Sequence, residues 1–202
     1  NGNNGNNGNN GNNGNNGNPD QSKLTDITNH WARDYIQTAV ERKIVAGYPD
    51  GTFRPNGNVT RSEFAVILAR AMNYPQTQEN LSFRDADSIG AWAKPYVSQA
   101  VRAGIISGYE DHAFRPNGNI TRLELVSMIA RAMGANPDTK ASLPFADADQ
   151  IPAWGKSNVA AAFEAGLVAG KANNRFAPND TATRAEAVTL VLKLLQYLES
   201  KK

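Results

Sequence analysis

The chain of 202 residues contains no cysteine, few aromatic residues and no long apolar run. Without cysteine, neither disulfides nor thiolate metal sites are available. No 18-residue apolar run occurs, so the sequence predicts no transmembrane helix and no membrane insertion. The formal net charge is only +2, which argues against a general nucleic-acid surface and a nucleic-acid partner. Phosphate loops, nucleophile elbows and zinc motifs are missing, so we expect no cofactor, no metal and no catalytic residue.

The first part of the chain is a low-complexity segment. Residues 1–18 repeat Asn and Gly with no apolar side chain. Such a stretch cannot bury enough surface to offset the entropy lost on ordering. We therefore predict that residues 1–22 form a flexible linker, and that a cargo domain lies upstream in the same polypeptide.

The rest of the chain is a threefold internal repeat. The pattern Thr-Arg-x-Glu begins at Thr60, Thr121 and Thr183, at steps of 61 and then 62 residues. Other residue types keep the same steps, namely Trp31, Trp92 and Trp154; Gly47, Gly108 and Gly170; Phe53, Phe114 and Phe176. A fixed period over many residue types indicates one structural unit built three times. We place the repeats at residues 23–79, 80–141 and 142–202, and expect them to form one folded unit.

Each repeat contains two helical patterns around a loop of about a dozen residues. The first helix is predicted from about Trp31 to Ala46, with Gly47 as the residue that ends it. The second helix begins at the Thr-Arg-x-Glu pattern, whose Thr and Glu form a capping box. One repeat has an apolar stripe and little to cover it. We therefore predict an all-α fold: the second helices form a central three-helix bundle, and the outer helices and loops form three lobes with grooves between them.

The arginine of the capping pattern needs a separate explanation. Arg61, Arg122 and Arg184 lie in the first turn of the second helices, where a cation opposes the helix dipole. Two explanations remain open. The arginine makes an internal salt bridge to a nearby carboxylate, or it holds an anionic ligand beside free N–H groups of the helix start.

The tryptophans and the aspartates near each repeat start are also candidates for function. We expect the tryptophans to anchor a helix to the core, in preference to stacking on a sugar. Asp85-Ala86-Asp87 and Asp147-Ala148-Asp149 could serve sugar acid–base chemistry. The first repeat has only Asp26 at this place, which weakens any mechanism that needs two carboxylates.

Taken together, these motifs resemble the S-layer homology (SLH) domain family. The resemblance rests on Phe/Leu-x-Asp, Trp-Ala, Gly-Tyr-x-Asp-x-x-Phe-Arg-Pro and Val/Ile-Thr-Arg-x-Glu, and it covers residues 24 to about 198 in three copies. It implies a pseudo-threefold, three-pronged spindle on the central bundle. It also implies an extracellular location at the cell wall of a Gram-positive bacterium. The implied partner is an anionic secondary cell wall polymer, commonly one that carries pyruvate-ketal N-acetylmannosamine.

The resemblance also implies which residues bind that ligand. They are Arg61, Arg122 and Arg184; Asp26, Asp85 and Asp147; Trp31, Trp92 and Trp154; Gly47, Gly108 and Gly170; and Tyr48 and Tyr109. The third repeat has Lys171 in place of the tyrosine and lacks the loop aspartate, which implies a groove that binds more weakly or serves structure alone. Two alternative functions remain, a self-assembling surface-layer lattice domain and a carboxylate-based glycan hydrolase.

Overall fold

The structure, a computed structural model, describes residues 24–77, 80–135 and 143–202. In these residues it contains six α-helices and no β-strand, which confirms the all-α prediction. The helices are α1 Arg33–Glu41, α2 Arg61–Met72, α3 Lys94–Arg102, α4 Arg122–Ala132, α5 Ala153–Glu164 and α6 Arg184–Glu199. Short 3₁₀ turns occur at Ala86–Ser88, Ala148–Gln150 and Ala172–Asn174. The linker predicted at residues 1–22 lies outside the described residues.

The second helix of each repeat begins at a capping box, as predicted. In α2, the backbone N–H of Glu63 donates to Thr60 Oγ1 at 3.2 Å, and the N–H of Thr60 donates to Glu63 Oε2 at 2.8 Å. The same reciprocal bonds start α4 and α6. Because the first N–H groups of a helix lack partners within it, this local chemistry fixes the arginine as the first helical residue.

The first helices end earlier than predicted. α1 stops at Glu41, and the chain then leaves the helix through Lys43 in the left-handed conformation, at φ 58°. Gly104 and Gly166 hold the equivalent places after α3 and α5. The prediction of Gly47 as the helix end is therefore wrong. The N–H of Lys43 donates to Val40 O and that of Ile44 donates to Ala39 O, both at 2.9 Å, which are the bonds that close a helix at a left-handed residue.

The packing of the helices is cyclic across the repeats. α3 packs on α2, α5 packs on α4, and α1 packs on α6. Each first helix thus lies against the second helix of the repeat before it, and the third repeat precedes the first. α6 also packs against α2 and α4. Each helix pair outside the centre is therefore shared between two repeats.

A ring of backbone hydrogen bonds joins the three repeats at one place. The N–H of Val59 donates to Ala182 O at 3.1 Å, that of Ala182 to Ile120 O at 2.9 Å, and that of Ile120 to Val59 O at 3.0 Å. These residues directly precede the three capping threonines. The ring brings the starts of the second helices together and gives the repeats their cyclic order. The three-pronged outline remains a prediction.

Candidate functional site

The cap arginines, Arg61, Arg122 and Arg184, connect neighbouring repeats. In each case Nε donates to the backbone carbonyl oxygen of a buried loop phenylalanine in the next repeat. The bonds join Arg61 to Phe114 at 2.8 Å, Arg122 to Phe176 at 2.8 Å, and Arg184 to Phe53 at 3.0 Å. The guanidinium therefore helps to hold each loop in place.

The helix-start N–H groups are also occupied. The N–H of Arg61 donates to Gly118 O at 3.0 Å, and that of Ser62 donates to Pro116 O at 3.1 Å. The loops of the next repeats supply equivalent acceptors to α4 and α6. The idea of a ligand beside free N–H groups is therefore wrong, because a neighbouring loop already binds them.

Two of the cap arginines are buried beside a glutamate. Arg61 Nη1 lies 3.4 Å from Glu124 Oε1, and Arg184 Nη1 lies 3.8 Å from Glu63 Oε1. The guanidinium of Arg61 also lies 4.5 Å from the centre of the Tyr109 ring. These contacts give partial support to the internal salt bridge suggested from the sequence.

Arg122 differs from the other two. Its Nη2 donates to Ala169 O at 2.8 Å, and its side chain is partly exposed. Burial lowers the pKa of the Arg122 guanidinium from its ordinary value. Of the three cap arginines, Arg122 is the most accessible to a ligand.

In the second and third repeats, the residue after the loop glycine contacts the capping glutamate. The hydroxyl of Tyr109 donates to Glu124 Oε1. Burial, together with this hydrogen bond, raises the pKa of Tyr109 to about 12. In the third repeat the Nζ of Lys171 lies 3.3 Å from Glu186 Oε1. The lysine therefore preserves a polar contact to the glutamate and adds a positive charge.

The early aspartates, Asp26, Asp85 and Asp147, each bind the backbone of the loop in their own repeat. Asp85 Oδ1 accepts from the N–H of Phe114 at 2.7 Å, and Oδ2 accepts from that of Arg115 at 2.8 Å. Asp26 and Asp147 make equivalent pairs of bonds. Burial alone would raise the pKa of Asp85, but the two hydrogen bonds outweigh it and the pKa is lowered. The structure thus shows a structural role, and contact with a sugar remains a prediction.

The loop glycines lie close to side chains of their own repeats. A Cβ on Gly47 would lie 2.4 Å from the side chain of Leu24, and one on Gly170 would lie 2.6 Å from that of Asn174. Gly108 has φ 76°, and its Cβ would lie 2.8 Å from the Phe83 ring. Close approach of a saccharide to these glycines remains a prediction.

The three tryptophans are exposed, so the prediction that they anchor helices to the core is wrong. Trp31, Trp92 and Trp154 expose 64%, 58% and 54% of their surface. Two of them line a cavity that also contains a cap arginine.

These two cavities bring together half of the predicted residues. Groove A has a volume of about 520 Å³, and its lining includes Arg61, residues 105–111, Glu124, Ser127, Arg131 and Trp154. Groove B has a volume of about 250 Å³, and its lining includes Arg122, residues 167–171, Glu186, Thr189, Lys193 and Trp31. Each groove is thus lined by the cap arginine of one repeat, the loop of the next repeat and the tryptophan of the remaining repeat. The three early aspartates line neither groove.

The grooves also contain residues that the sequence reasoning missed. Arg131 in groove A and Lys193 in groove B stand nine residues after a cap arginine. Ser127 and Thr189 lie one turn before these cations on the same helices. The steps of 61 and 62 residues would have identified these positions, because Arg70 and Val66 hold them in the first repeat.

Comparison with known proteins identifies the family. The S-layer homology domain family matches residues 23–65, 82–126 and 144–188. Similar proteins include an amylopullulanase of Thermoanaerobacterium thermosulfurigenes, 37% identical over 85% of this chain and 9% of that protein. An S-layer protein of Bacillus thuringiensis subsp. finitimus is 33% identical over 82% of this chain and 20% of its own length. A cellulosome-anchoring protein of Acetivibrio thermocellus is 34% identical over 65% of this chain and 30% of its own length.

The chain therefore belongs to the S-layer homology domain family, which confirms the resemblance seen in the sequence. It spans less than a third of the length of these relatives. The family and its S-layer relatives also confirm the expected location at the extracellular cell surface. Among the described residues, none of the helices combines the length and the apolar composition that a membrane span needs.

Proposed function

We propose that this chain anchors the protein that carries it to the bacterial cell wall, by holding an acidic saccharide of a secondary cell wall polymer in grooves A and B. The observation that carries the proposal is the combination of an exposed tryptophan and a cap arginine in one cavity, found twice. The indole offers a flat apolar face to a sugar ring. The guanidinium offers charge-assisted hydrogen bonds to a carboxylate such as that of a pyruvate ketal.

The charges of groove B favour an anionic ligand. Among the described residues, its lining contains Arg122, Lys171 and Lys193 as cations and Glu186 as the one carboxylate. Groove A contains three cationic and three acidic side chains. A cleft lined mainly by one sign of charge concentrates ligands of the opposite sign. Groove B is therefore a strong candidate site for the acidic group of the saccharide, although its loop, that of the third repeat, departs from the family pattern.

The structure offers less to the alternative of a glycan hydrolase. That mechanism needs two carboxyl groups free to act on a glycosidic bond. Both oxygens of Asp85 accept backbone N–H bonds, as do those of Asp26 and Asp147. The enzyme names among the relatives belong to proteins of which this chain covers a small part.

The proposal is tested by co-sedimentation with cell-wall sacculi of Bacillus licheniformis, the source of another S-layer relative. We expect the chain to sediment with intact sacculi and to stay in solution once acid has removed the polymer. Trp31→Ala combined with Trp154→Ala should weaken binding by up to about tenfold per groove. Because two grooves on one polymer add avidity, the double variant is more informative than either single one.

Trp92→Ala is the matched control, since Trp92 is equally exposed and lines neither groove. Titration calorimetry with a pyruvylated N-acetylmannosamine glycoside and its unmodified twin tests the acidic group directly. Equal sedimentation before and after acid extraction contradicts the proposal. Ordered aggregates in light scattering without polymer would favour the lattice alternative.

A further inference from the structure

Each groove contains a buried hydroxyl that has no hydrogen-bond partner. Ser127 Oγ and Thr189 Oγ1 are both buried and unpartnered in the structure. Ser127 lines groove A and Thr189 lines groove B. Buried polar groups without partners are uncommon and cost stability. Two at the same repeat position therefore need an explanation.

Packing does not require a hydroxyl at this position. The equivalent residue of the first repeat is Val66, which is also buried. Val66 shows that the fold accepts a β-branched apolar side chain there, without an unpartnered hydroxyl. The polar side chains occur at the two positions that line grooves A and B.

A cation lies one helical turn beyond each hydroxyl. Arg131 follows Ser127 by four residues on α4, and Lys193 follows Thr189 by four residues on α6. Residues four apart lie on the same helix face. Burial and the nearby charge of Arg61 lower the pKa of Arg131. Arg61 and Arg131 thus place two positive charges in groove A, which is also lined by Glu110, Asp111 and Glu124.

We propose that Ser127 with Arg131 in groove A, and Thr189 with Lys193 in groove B, form a second polar contact for the acidic saccharide. Rotation about the Cα–Cβ bond turns the hydroxyl toward the ligand, where it donates to a sugar or carboxylate oxygen. In the first repeat, Val66 stands at the equivalent position and has no hydroxyl to make this contact. The inference rests on the proposed function, and it adds recognition residues beyond the cap arginines and tryptophans.

The test is a double variant, Ser127→Ala with Thr189→Val. We expect about fivefold weaker affinity for the pyruvylated N-acetylmannosamine glycoside in calorimetry, the loss that removal of one hydrogen bond per groove produces. The thermal midpoint should stay equal or rise, because the substitutions remove unpartnered buried hydroxyls. Ser62→Ala is the matched control. Ser62 Oγ is likewise buried and unpartnered, but Ser62 lines neither groove.

The outcomes separate this inference from the proposed function. Weaker binding with unchanged or higher stability, and normal binding by Ser62→Ala, supports the inference. Unchanged affinity of the double variant, while the wild type binds, overturns the inference and leaves the proposed function standing. A lowered thermal midpoint of the double variant identifies the hydroxyls as structural and also overturns it. A wild type that binds neither the glycoside nor intact sacculi overturns both.

Discussion

Replacing Asp147 with alanine tests how the loops are held in place. Asp147 is 3% exposed, and its two oxygens accept from the backbone N–H groups of Phe176 and Ala177 at 2.7 and 2.9 Å. Ala177 has a left-handed φ of 57°, so the aspartate stabilises a turn that alanine disfavours by itself. Arg175 Nε adds an ion contact at 3.5 Å.

The expected cost follows from these bonds. Hydrogen bonds to charged groups contribute about 1.5–3 kcal/mol each. Two such bonds at the lower limit give a loss of about 3 kcal/mol in the free energy of unfolding for Asp147→Ala. The matched control is Asp149→Ala, which makes the same change in charge two residues away. Asp149 is exposed, and a surface substitution of this kind typically changes stability by about 0.5 kcal/mol or less.

Urea unfolding followed by circular dichroism at neutral and acid pH measures both effects. Burial would raise the pKa of Asp147, but the two backbone hydrogen bonds outweigh it and lower the pKa from 3.8. The carboxylate's contribution is therefore present above about pH 4 and lost as the pH falls through the lowered folded-state pKa. The wild-type and Asp147→Ala curves should converge at acid pH. If Asp147→Ala and Asp149→Ala unfold at the same urea concentration at pH 7, the proposed role of Asp147 is wrong.

Two further predictions concern single side chains. Lys43→Gly should raise the free energy of unfolding by about 0.5–1 kcal/mol, because Lys43 has a left-handed φ that glycine adopts without strain. Urea unfolding measures this gain. The control variant Lys43→Ala should show no gain. Tyr109 has its pKa raised to about 12, so its contribution to stability is complete below about pH 10 and lost as the pH rises toward 12. Tyr109→Phe should flatten the decline of the thermal midpoint over that range, and a decline equal to that of the wild type would contradict the assignment.

Local chemistry made part of the fold predictable. Thr60 and Glu63 are three residues apart, so their reciprocal capping bonds form from neighbouring residues alone. The period of 61 and 62 residues likewise showed that one unit is built three times. The ends of the first helices were less predictable. Glycine is the residue type expected at a helix end, which favoured Gly47, whereas Lys43, a residue type that rarely adopts a left-handed φ, is the one that ends α1.

The sequence by itself determined the three repeats, the helix starts and the residue types available to a ligand. Only the tertiary structure decided which of these residues lie in contact with one another. Arg184 reaches Phe53 across 131 positions of the chain, and groove B joins Trp31 to Arg122 and Lys171. Such contacts depend on the cyclic packing of all three repeats, which no local pattern encodes. Through the same packing, Trp154 shares groove A with residues of the first and second repeats, and Trp31 shares groove B with residues of the second and third.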